Sequence, residues 1–240
     1  MTAPSLRAGD LFAYDDAVVA RYPTIRAAVV HAGGLRNGPS PPALLEAARA
    51  VQAAALERLQ TTPLAELPSI AAWRRAFTRF GAKPTQHRNA AEALLRRLAK
   101  HGDVPTISTL VDIGTLVSLR WALPVAVIDL AGVAGGITVR FATGAEPFTD
   151  LGGGGSSAPG PGEVVFVDRD GVVCARRWCW RQSAQSATGP STTEALFVVE
   201  AHHDDADRDV AAALDDLSAL LDAHQPGHTA RSWLLAPPQR

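Results

Sequence analysis

Apolar residues recur at helical spacing in the first part of the chain and again near its end. This pattern predicts helices over residues 43–59, 70–80, 89–100 and 207–224. In the second of these helices, Trp73, Phe77 and Phe80 fall on one stripe, which predicts a buried aromatic face. In the third, Glu92 lies four residues before Arg96, a spacing that favours an ion pair along the helix.

Short runs rich in valine, isoleucine and aromatic residues predict strands. They lie at residues 24–30, 117–119, 125–129, 137–141, 163–167, 172–181 and 195–200. The run at 117–119 belongs to a longer stretch, 107–121, whose apolar positions fit a helix about as well as a strand. The sequence DRDG at 168–171 predicts a hairpin turn. Helices followed by antiparallel strands and a last helix indicate an α+β fold, with a largely antiparallel sheet flanked by helices.

Two segments show neither pattern. Residues 1–9 are predicted to be a loose terminus. The glycine-rich run at 152–162 is predicted to be a flexible loop rather than a phosphate cradle, because no helix that begins with lysine, serine or threonine follows it.

Composition adds limits to this picture. The 240 residues are 47% hydrophobic and 20% charged, which indicates an ordinary globular protein with enough apolar material for a core. A net charge of -1 gives no overall nucleic-acid footprint, so any RNA contact needs a local patch. Cys174 and Cys179 lie on opposite faces of one predicted strand, so neither a disulfide nor a cysteine metal site is expected. With no signal peptide and no long apolar run, the chain is predicted to be cytoplasmic, away from membranes.

A cluster of possible metal ligands, HHDD at 202–205 with Asp207 close behind, precedes the last helix. Adjacent residues rarely point at one ion, and the spacing matches no zinc motif. We therefore interpret the cluster as the polar end of a strand that leads into a helix N-terminus, and predict no metal site.

Arginine and tryptophan alternate along the predicted strand at 172–181. Alternation places Arg176, Trp178 and Trp180 on one face, and Arg177 and Arg181 on the other. Two interpretations stay open. The side chains could form a packed surface in which guanidinium groups stack on rings, or a shallow pocket in which arginines meet a carboxylate or phosphate beside a flat aromatic surface.

A third group of polar residues interrupts the apolar run between 109 and 144. Its members are Asp112, Thr115, Ser118 and Asp129. Buried polar residues are usually hydrogen-bonded within the fold, so turn caps and satisfied hydroxyls are the favoured interpretation for these four.

Four segments in this order carry a family resemblance. They are WRRAFTRFGAKP, AAEALLRRLAKHGDVPTISTLVDIGTLVSL, ALPVAVIDLAGVAGGITVRFATGAEPF and GEVVFVDRDGVVCARRWCWR. Together they resemble the B3/B4 domain, a module of the β subunit of bacterial phenylalanyl-tRNA synthetase that also occurs in free-standing proteins. The resemblance covers about residues 73–200, and it implies that residues 1–240 form a single domain of α+β fold.

The resemblance also implies a function. In the synthetase the module is an editing site that hydrolyses the ester between wrongly attached tyrosine and tRNA, so this chain resembles a trans-acting editing hydrolase for mischarged tRNA. The alternative is a non-catalytic module that binds an amino-acid-like small ligand or RNA, and a protein-interaction domain is a third. The implied partner is aminoacyl-tRNA, with neither a cofactor nor DNA involved.

Site residues follow from the matched positions. The synthetase pattern has asparagine where this chain has Thr115, histidine at Ala126, and glutamate near Gln182. These differences argue against a tyrosine-specific pocket. We predict that Thr115 and Gln182 act in catalysis by holding the amino acid or the water. The predicted binding residues are Ser118, Arg177, Trp180 and Arg181.

Overall fold

The computed structural model describes residues 8–152 and 157–236. Its helices are α1 (Ala8–Leu11), α2 (Asp16–Arg21), α3 (Pro42–Thr61), α4 (Pro68–Arg79), α5 (Ala90–His101), α6 (Thr109–Trp121) and α7 (Ala206–His224). Each long helix predicted from periodicity is present, with its ends displaced by three residues or fewer. Most of the predicted loose terminus and part of the glycine-rich loop, residues 1–7 and 153–156, lie outside the described residues.

The described strands form two sheets. Their bounds are β1 (Phe12–Tyr14), β2 (Arg26–Gly33), β3 (Val125–Asp129), β4 (Ile137–Phe141), β5 (Val164–Val167), β6 (Val173–Arg176), β7 (Arg181–Gln182), β8 (Glu194–Ala201) and β9 (Thr229–Leu235). The β1 sheet has the order β1-β4-β5-β6-β7, and the β8 sheet has the order β3-β8-β2-β9. Only β1 and β4 pair in parallel. The predicted α+β class is confirmed, with two largely antiparallel sheets where one was expected.

The β8 sheet lies in the middle of the molecule. Side chains of β8 alternate, so Phe197 and Val199 pack among the helices, whereas Leu196 and Val198 pack against the β1 sheet. Helices α3, α5, α6 and α7 cover the first face of the β8 sheet. The β1 sheet covers the second face, together with the aromatic side of α4. Among the described residues, no helix is long and apolar enough to span a bilayer.

The ambiguous stretch at 107–121 forms helix α6, so the predicted strand at 117–119 is absent. Leu110, Ile113 and Val117 repeat every three or four residues and are all buried among the helices. Gly114 lies inside the helix against β3, and a Cβ atom there would stand 2.7 Å from Cγ2 of Val127. The glycine therefore allows α6 to lie unusually close to β3.

The strand predicted at 172–181 breaks in its middle. Arg177 and Trp178 have left-handed backbone angles, with φ of 44° and 60°. Two hydrogen bonds hold the turn, from the Trp178 amide to the Val164 carbonyl at 2.6 Å and from the Arg177 amide to Glu163 Oε1 at 2.9 Å. Alternation of faces consequently ends at Arg176. Both cysteines are free thiols, and the break lies between Cys174 on β6 and Cys179 after the turn, so they do not share the one continuous strand that was predicted.

Candidate functional site

Two neighbouring cavities lie where β3, α6 and β7 meet. The first, of about 90 Å³, is here called the tryptophan cavity and is lined by Ala126, Ile128, Phe166, Trp178, Trp180, Arg181 and Gln182, among others. The second, of about 230 Å³, is called the threonine cavity and is lined by Val111, Thr115, Ser118, Val127, Leu151 and Gln182, among others. Val125 and Gln182 line both. The structure thus brings most of the predicted site residues to one region.

Gln182 connects the two cavities. Its amide nitrogen donates hydrogen bonds to the carbonyl oxygens of Val127 at 2.9 Å and Ser186 at 2.6 Å. Both hydrogens of the amide are therefore used in tying β3 to the segment after β7. Gln182 Oε1 accepts no hydrogen bond from a described residue, so this oxygen is the atom that can accept one from a ligand.

Thr115 and Ser118 both line the threonine cavity, but their hydroxyl groups differ. Thr115 is half-buried, and its Oγ1 makes no hydrogen bond within the described part of the chain. Ser118 is buried, and its hydroxyl donates to the Leu123 carbonyl at 2.7 Å. Thr115 therefore has the hydroxyl that can bind a ligand, whereas the hydroxyl of Ser118 is already used and Ser118 is only part of the cavity wall. Ala126 lines the tryptophan cavity and does not share a cavity with Thr115.

Arg177, Trp180 and Arg181 form a stack at the rim of the tryptophan cavity. The guanidinium carbons of Arg177 and Arg181 lie 4.4 Å and 4.6 Å from the centre of the Trp180 ring. Arg181 also pairs with Asp150, and the edge of His87 contacts the same ring. Guanidinium–ring stacking is thus present, and it covers Trp180. Trp178 is 0% exposed and offers no flat surface to a ligand.

Glu200, which the sequence analysis did not single out, is a buried carboxyl behind the tryptophan cavity. Its Oε1 accepts hydrogen bonds from the Tyr14 hydroxyl at 2.6 Å and from Trp178 Nε1 at 2.8 Å. Burial raises the pKa of Glu200 to about 7, although the two hydrogen bonds act in the opposite direction. In the sequence, Glu200 follows Leu196 and Val198 at alternate positions of one predicted strand. This alternation was the available signal that the glutamate faces inward.

A thiol lies close to this carboxyl. Cys179 lines the tryptophan cavity, and burial together with the charge of Glu200 raises its pKa well above the usual value. The thiol is therefore protonated at neutral pH and is a poor nucleophile.

The HHDD segment forms a strand end that leads into α7. His203 Nε2 lies 2.8 Å from Asp209 Oδ2, which ties the segment to the first turns of the helix. His202 packs edge-on against Trp73 and Trp178, and burial lowers its pKa to about 3, so it is neutral. Within residues 8–152 and 157–236, no group of three or more histidine, cysteine or acidic side chains could hold a metal ion.

Asp112 and Asp129, the two aspartates that interrupt the apolar run between 109 and 144, cap turns. Asp129 accepts hydrogen bonds from the Ala131 amide and the Thr192 hydroxyl. Asp112 accepts from the Ile107 amide and the Ser40 hydroxyl. The structural interpretation of these residues is confirmed.

The cavities offer polar atoms but few ionisable ones. No aspartate, glutamate or histidine is among the described residues that line either cavity. Among the described lining residues, the polar groups include the hydroxyls of Thr115 and Thr188, the Gln182 oxygen and the Arg181 guanidinium. Such a site can orient a small polar molecule against an apolar wall and place a positive charge near it.

The chain is similar to known proteins in its sequence family and in its fold. Residues 72–218 match the family model described as the B3/4 domain. A similar solved structure is an N-terminal fragment of the phenylalanyl-tRNA synthetase beta-subunit from Pyrococcus horikoshii, with a TM-score of 0.48 and 13% sequence identity over 95% of this chain and 54% of that one. The chain thus spans about half the length of that fragment. No curated protein sequence matches it.

Proposed function

This chain belongs to the B3/4 domain family, and from that premise we propose that it is a trans-acting hydrolase that removes the amino acid from a mischarged tRNA. The observation that carries the proposal is a pair of unpartnered polar atoms on residues that line the threonine cavity. Thr115 and Gln182 line the same cavity, and the described residues give neither Thr115 Oγ1 nor Gln182 Oε1 a hydrogen-bond partner. On this proposal, all 240 residues form one B3/4 domain that acts on aminoacyl-tRNA in the cytoplasm.

The proposed reaction is hydrolysis of one ester bond. Water adds to the carbonyl carbon, the bond from that carbon to the ribose oxygen breaks, and a proton from the water ends on the ribose oxygen. Thr115 and Gln182 accept hydrogen bonds from the amino group or from the attacking water, which fixes their positions. Arg181 lines the neighbouring tryptophan cavity and, although it pairs with Asp150, is the cationic side chain that the site offers to the oxyanion that develops on the carbonyl oxygen.

The walls of the threonine cavity suggest which amino acids it accepts. Leu94, Val111, Val127 and Leu151 all line it. An aliphatic side chain fits such walls better than the phenol of tyrosine, because a buried phenol hydroxyl needs a hydrogen-bond partner.

A deacylation assay tests this function. The wild-type protein is incubated with a panel of mischarged tRNAs that includes aliphatic amino acids, and ester loss is followed. We expect hydrolysis above the uncatalysed rate for at least one tRNA. Thr115→Val, which keeps the shape but removes the hydroxyl, should lower kcat/KM about 10-fold or more, the cost of one hydrogen bond. Thr61→Val, at the exposed end of α3, is the matched control. If no tRNA in the panel is deacylated, the hydrolase proposal fails.

A second candidate function is a non-catalytic module that binds an amino-acid-like ligand or RNA. It is favoured by the absence of a carboxylate or imidazole among the described lining residues, since neither cavity then supplies a general base. Calorimetry with free amino acids and uncharged tRNA separates the two functions. Binding without ester loss, unaffected by Thr115→Ala, would support the module.

A further inference from the structure

A third cavity lies on the other side of the Arg177–Trp180 stack. We call it the basic cleft; its volume is about 410 Å³, and it is lined by Phe80, Lys83, Gln86, His87, Pro161, Glu163 and Arg177, among others. Trp180 joins it to the tryptophan cavity, because Trp180 lines that cavity and also contacts Arg177 and His87. The two cavities are therefore neighbours on one surface.

One carboxylate in the basic cleft is shared by two arginines. Glu163 pairs with Arg176 through two hydrogen bonds, of 3.0 Å to Nε and 3.1 Å to a terminal nitrogen. It also accepts the amide of Arg177 at 2.9 Å, whereas the Arg177 guanidinium lies 3.7 Å away and is 21% exposed. Because two arginines share one carboxylate, this end of the cleft keeps an excess of one positive charge.

Lys83 adds a second uncompensated charge. It is exposed and forms no ion pair with any residue in the described ranges. Its carbonyl accepts the amides of Gln86 and His87, and this turn brings Lys83 and His87 to the same rim. The basic cleft therefore carries an excess of two positive charges, on a chain whose net charge is -1.

His87 contributes an uncharged polar group. Burial and the charge of Arg177 lower its pKa below the usual value, so the imidazole is neutral at physiological pH. Its Nδ1 is buried and has no hydrogen-bond partner among the described residues. This atom therefore lacks the hydrogen bond that buried polar groups usually make.

The backbone at Arg177 is held in an unfavourable conformation. Arg177 and Trp178 are consecutive residues other than glycine in the left-handed region, which side chains with a Cβ atom rarely adopt. Hydrogen bonds to Val164 and Glu163 keep them there. Such strain concentrates at functional sites, and here its effect is to place Arg177 over the basic cleft.

We propose that the basic cleft is a binding site for a phosphate group, with Lys83 and Arg177 as the cations and His87 as a hydrogen-bonding group. The chemistry is shared by free phosphate and by the backbone of a polynucleotide. The choice of an RNA strand as its source rests on the proposed function, since a strand bound here passes Trp180 on its way to the threonine cavity. Phosphate binding in the basic cleft does not depend on ester hydrolysis, so the phosphate site and the hydrolase proposal can be tested separately.

Binding of an uncharged single-stranded RNA oligonucleotide, measured against salt concentration, tests the proposal. The variants are Lys83→Gln and Arg177→Gly, the second chosen because glycine adopts a positive φ without strain. Arg97→Gln is the matched control, since Arg97 is exposed on α5 and lacks an ion pair within the described residues. We expect each variant to bind about tenfold more weakly, with the slope of log K against log salt smaller by about one, and the control to bind like the wild type.

The probes also identify the source of the phosphate. Inorganic phosphate at the same salt concentrations is the second arm: saturable binding that the two variants abolish, without RNA binding, assigns the site to a free anion. Occupancy by either probe should raise the pKa of His87 in an NMR titration, because a nearby negative charge favours the imidazolium. Equal binding by both variants, the control and the wild type, or an unchanged His87 pKa, would overturn the site. If the variants lose RNA binding and the wild type deacylates no tRNA, the phosphate site stands and only the hydrolase proposal is rejected.

Discussion

Glu200 is the residue whose surroundings differ most from those of an ordinary glutamate. It is 2% exposed and lies between the two sheets, where Tyr14 from β1 and Trp178 after β6 both donate to one of its oxygens. Its pKa of about 7 means that the protonated form predominates below neutral pH. One carboxyl therefore joins the two sheets, and its ionisation destabilises the folded state.

Glu200→Gln should remove part of the pH dependence of stability. A carboxyl whose pKa is raised from 4.5 to about 7 on folding binds its proton more tightly in the folded state. The free energy of unfolding of the wild type should then fall by about 3 kcal/mol between about pH 4.5 and about pH 7, relative to the variant. The glutamine keeps an oxygen for Tyr14 and Trp178.

Urea denaturation of both proteins at about pH 4 and about pH 8 measures this difference. Glu46→Gln, on the exposed side of α3, is the control and should follow the wild type. If the wild type and Glu200→Gln change in stability equally over this range, the pKa of Glu200 is not raised in the folded protein.

At the scale of single residues, the sequence indicated which positions would come together but not what their atoms do. The family resemblance directed attention to Thr115 and Gln182, and the two line one cavity. It could not show that Ser118 is already bonded to Leu123, or that the amide nitrogen of Gln182 holds β3 in place. Hydrogen-bond partners distant in sequence are decided by tertiary packing.

Helix α6 shows how one element determines the shape of the candidate site. Its outer side carries Thr115 into the threonine cavity, and its approach to β3 depends on Gly114. Because a Cβ of residue 114 would stand only 2.7 Å from Val127 Cγ2, this close approach of helix and strand depends on the absence of a side chain. Gly114 and Val127 both line the threonine cavity, so this contact forms part of its wall.

Gly114→Ala should destabilise the protein although alanine favours helices. The new methyl would overlap Val127 Cγ2, and overpacking of this kind costs about 1–3 kcal/mol, more than the roughly 1 kcal/mol that alanine gains in helix propensity. Thermal and urea unfolding of Gly114→Ala, Val127→Ala and the double variant measure the effect. The double variant should be more stable than the sum of the single losses predicts, and strict additivity would show that the two side chains do not meet.

Other elements show the limit of pattern alone. The strand at 172–181 contains no glycine or proline at its break, so only the contacts of the Arg177–Trp178 turn with β5 reveal it. Strand β9 also escaped prediction, since most of its residues are exposed and show little apolar alternation. It forms because β2 offers a long free edge. The Glu92–Arg96 pair is absent for a similar reason: Glu92 is buried and pairs with Arg74 of α4 instead.

The whole molecule is organised around the β8 sheet, whose two faces carry the two main clusters of buried residues. Helices contribute the first cluster, and the β1 sheet with α4 contributes the second. Strand β8 contributes side chains to both, so neither cluster can lose its packing without exposing residues of the other. This arrangement favours unfolding of the whole domain as one unit.

Coincidence of two spectroscopic transitions tests that cooperativity. Far-UV circular dichroism reports mainly the helices, and near-UV circular dichroism reports ordered aromatic side chains, most of which, including Trp73 and Trp178, pack in the second cluster. Leu110→Ala, in the first cluster only, should destabilise the domain by about 2–5 kcal/mol and shift both transitions by the same amount. A near-UV transition that stays at its wild-type midpoint would show that the two clusters unfold independently.

Periodicity and composition were enough to determine the α+β class, the long helices other than α6, most strands and the hairpin at 168–171, because these depend on local patterns of apolar residues. The order of motifs was enough to indicate the family. Only the tertiary structure decided that the strands form two sheets, that Glu200 is buried between them, and that Lys83, His87 and Arg177 share one cleft. Those features depend on contacts between segments far apart in the chain, where burial and neighbouring charge, rather than local sequence, set the chemistry of each group.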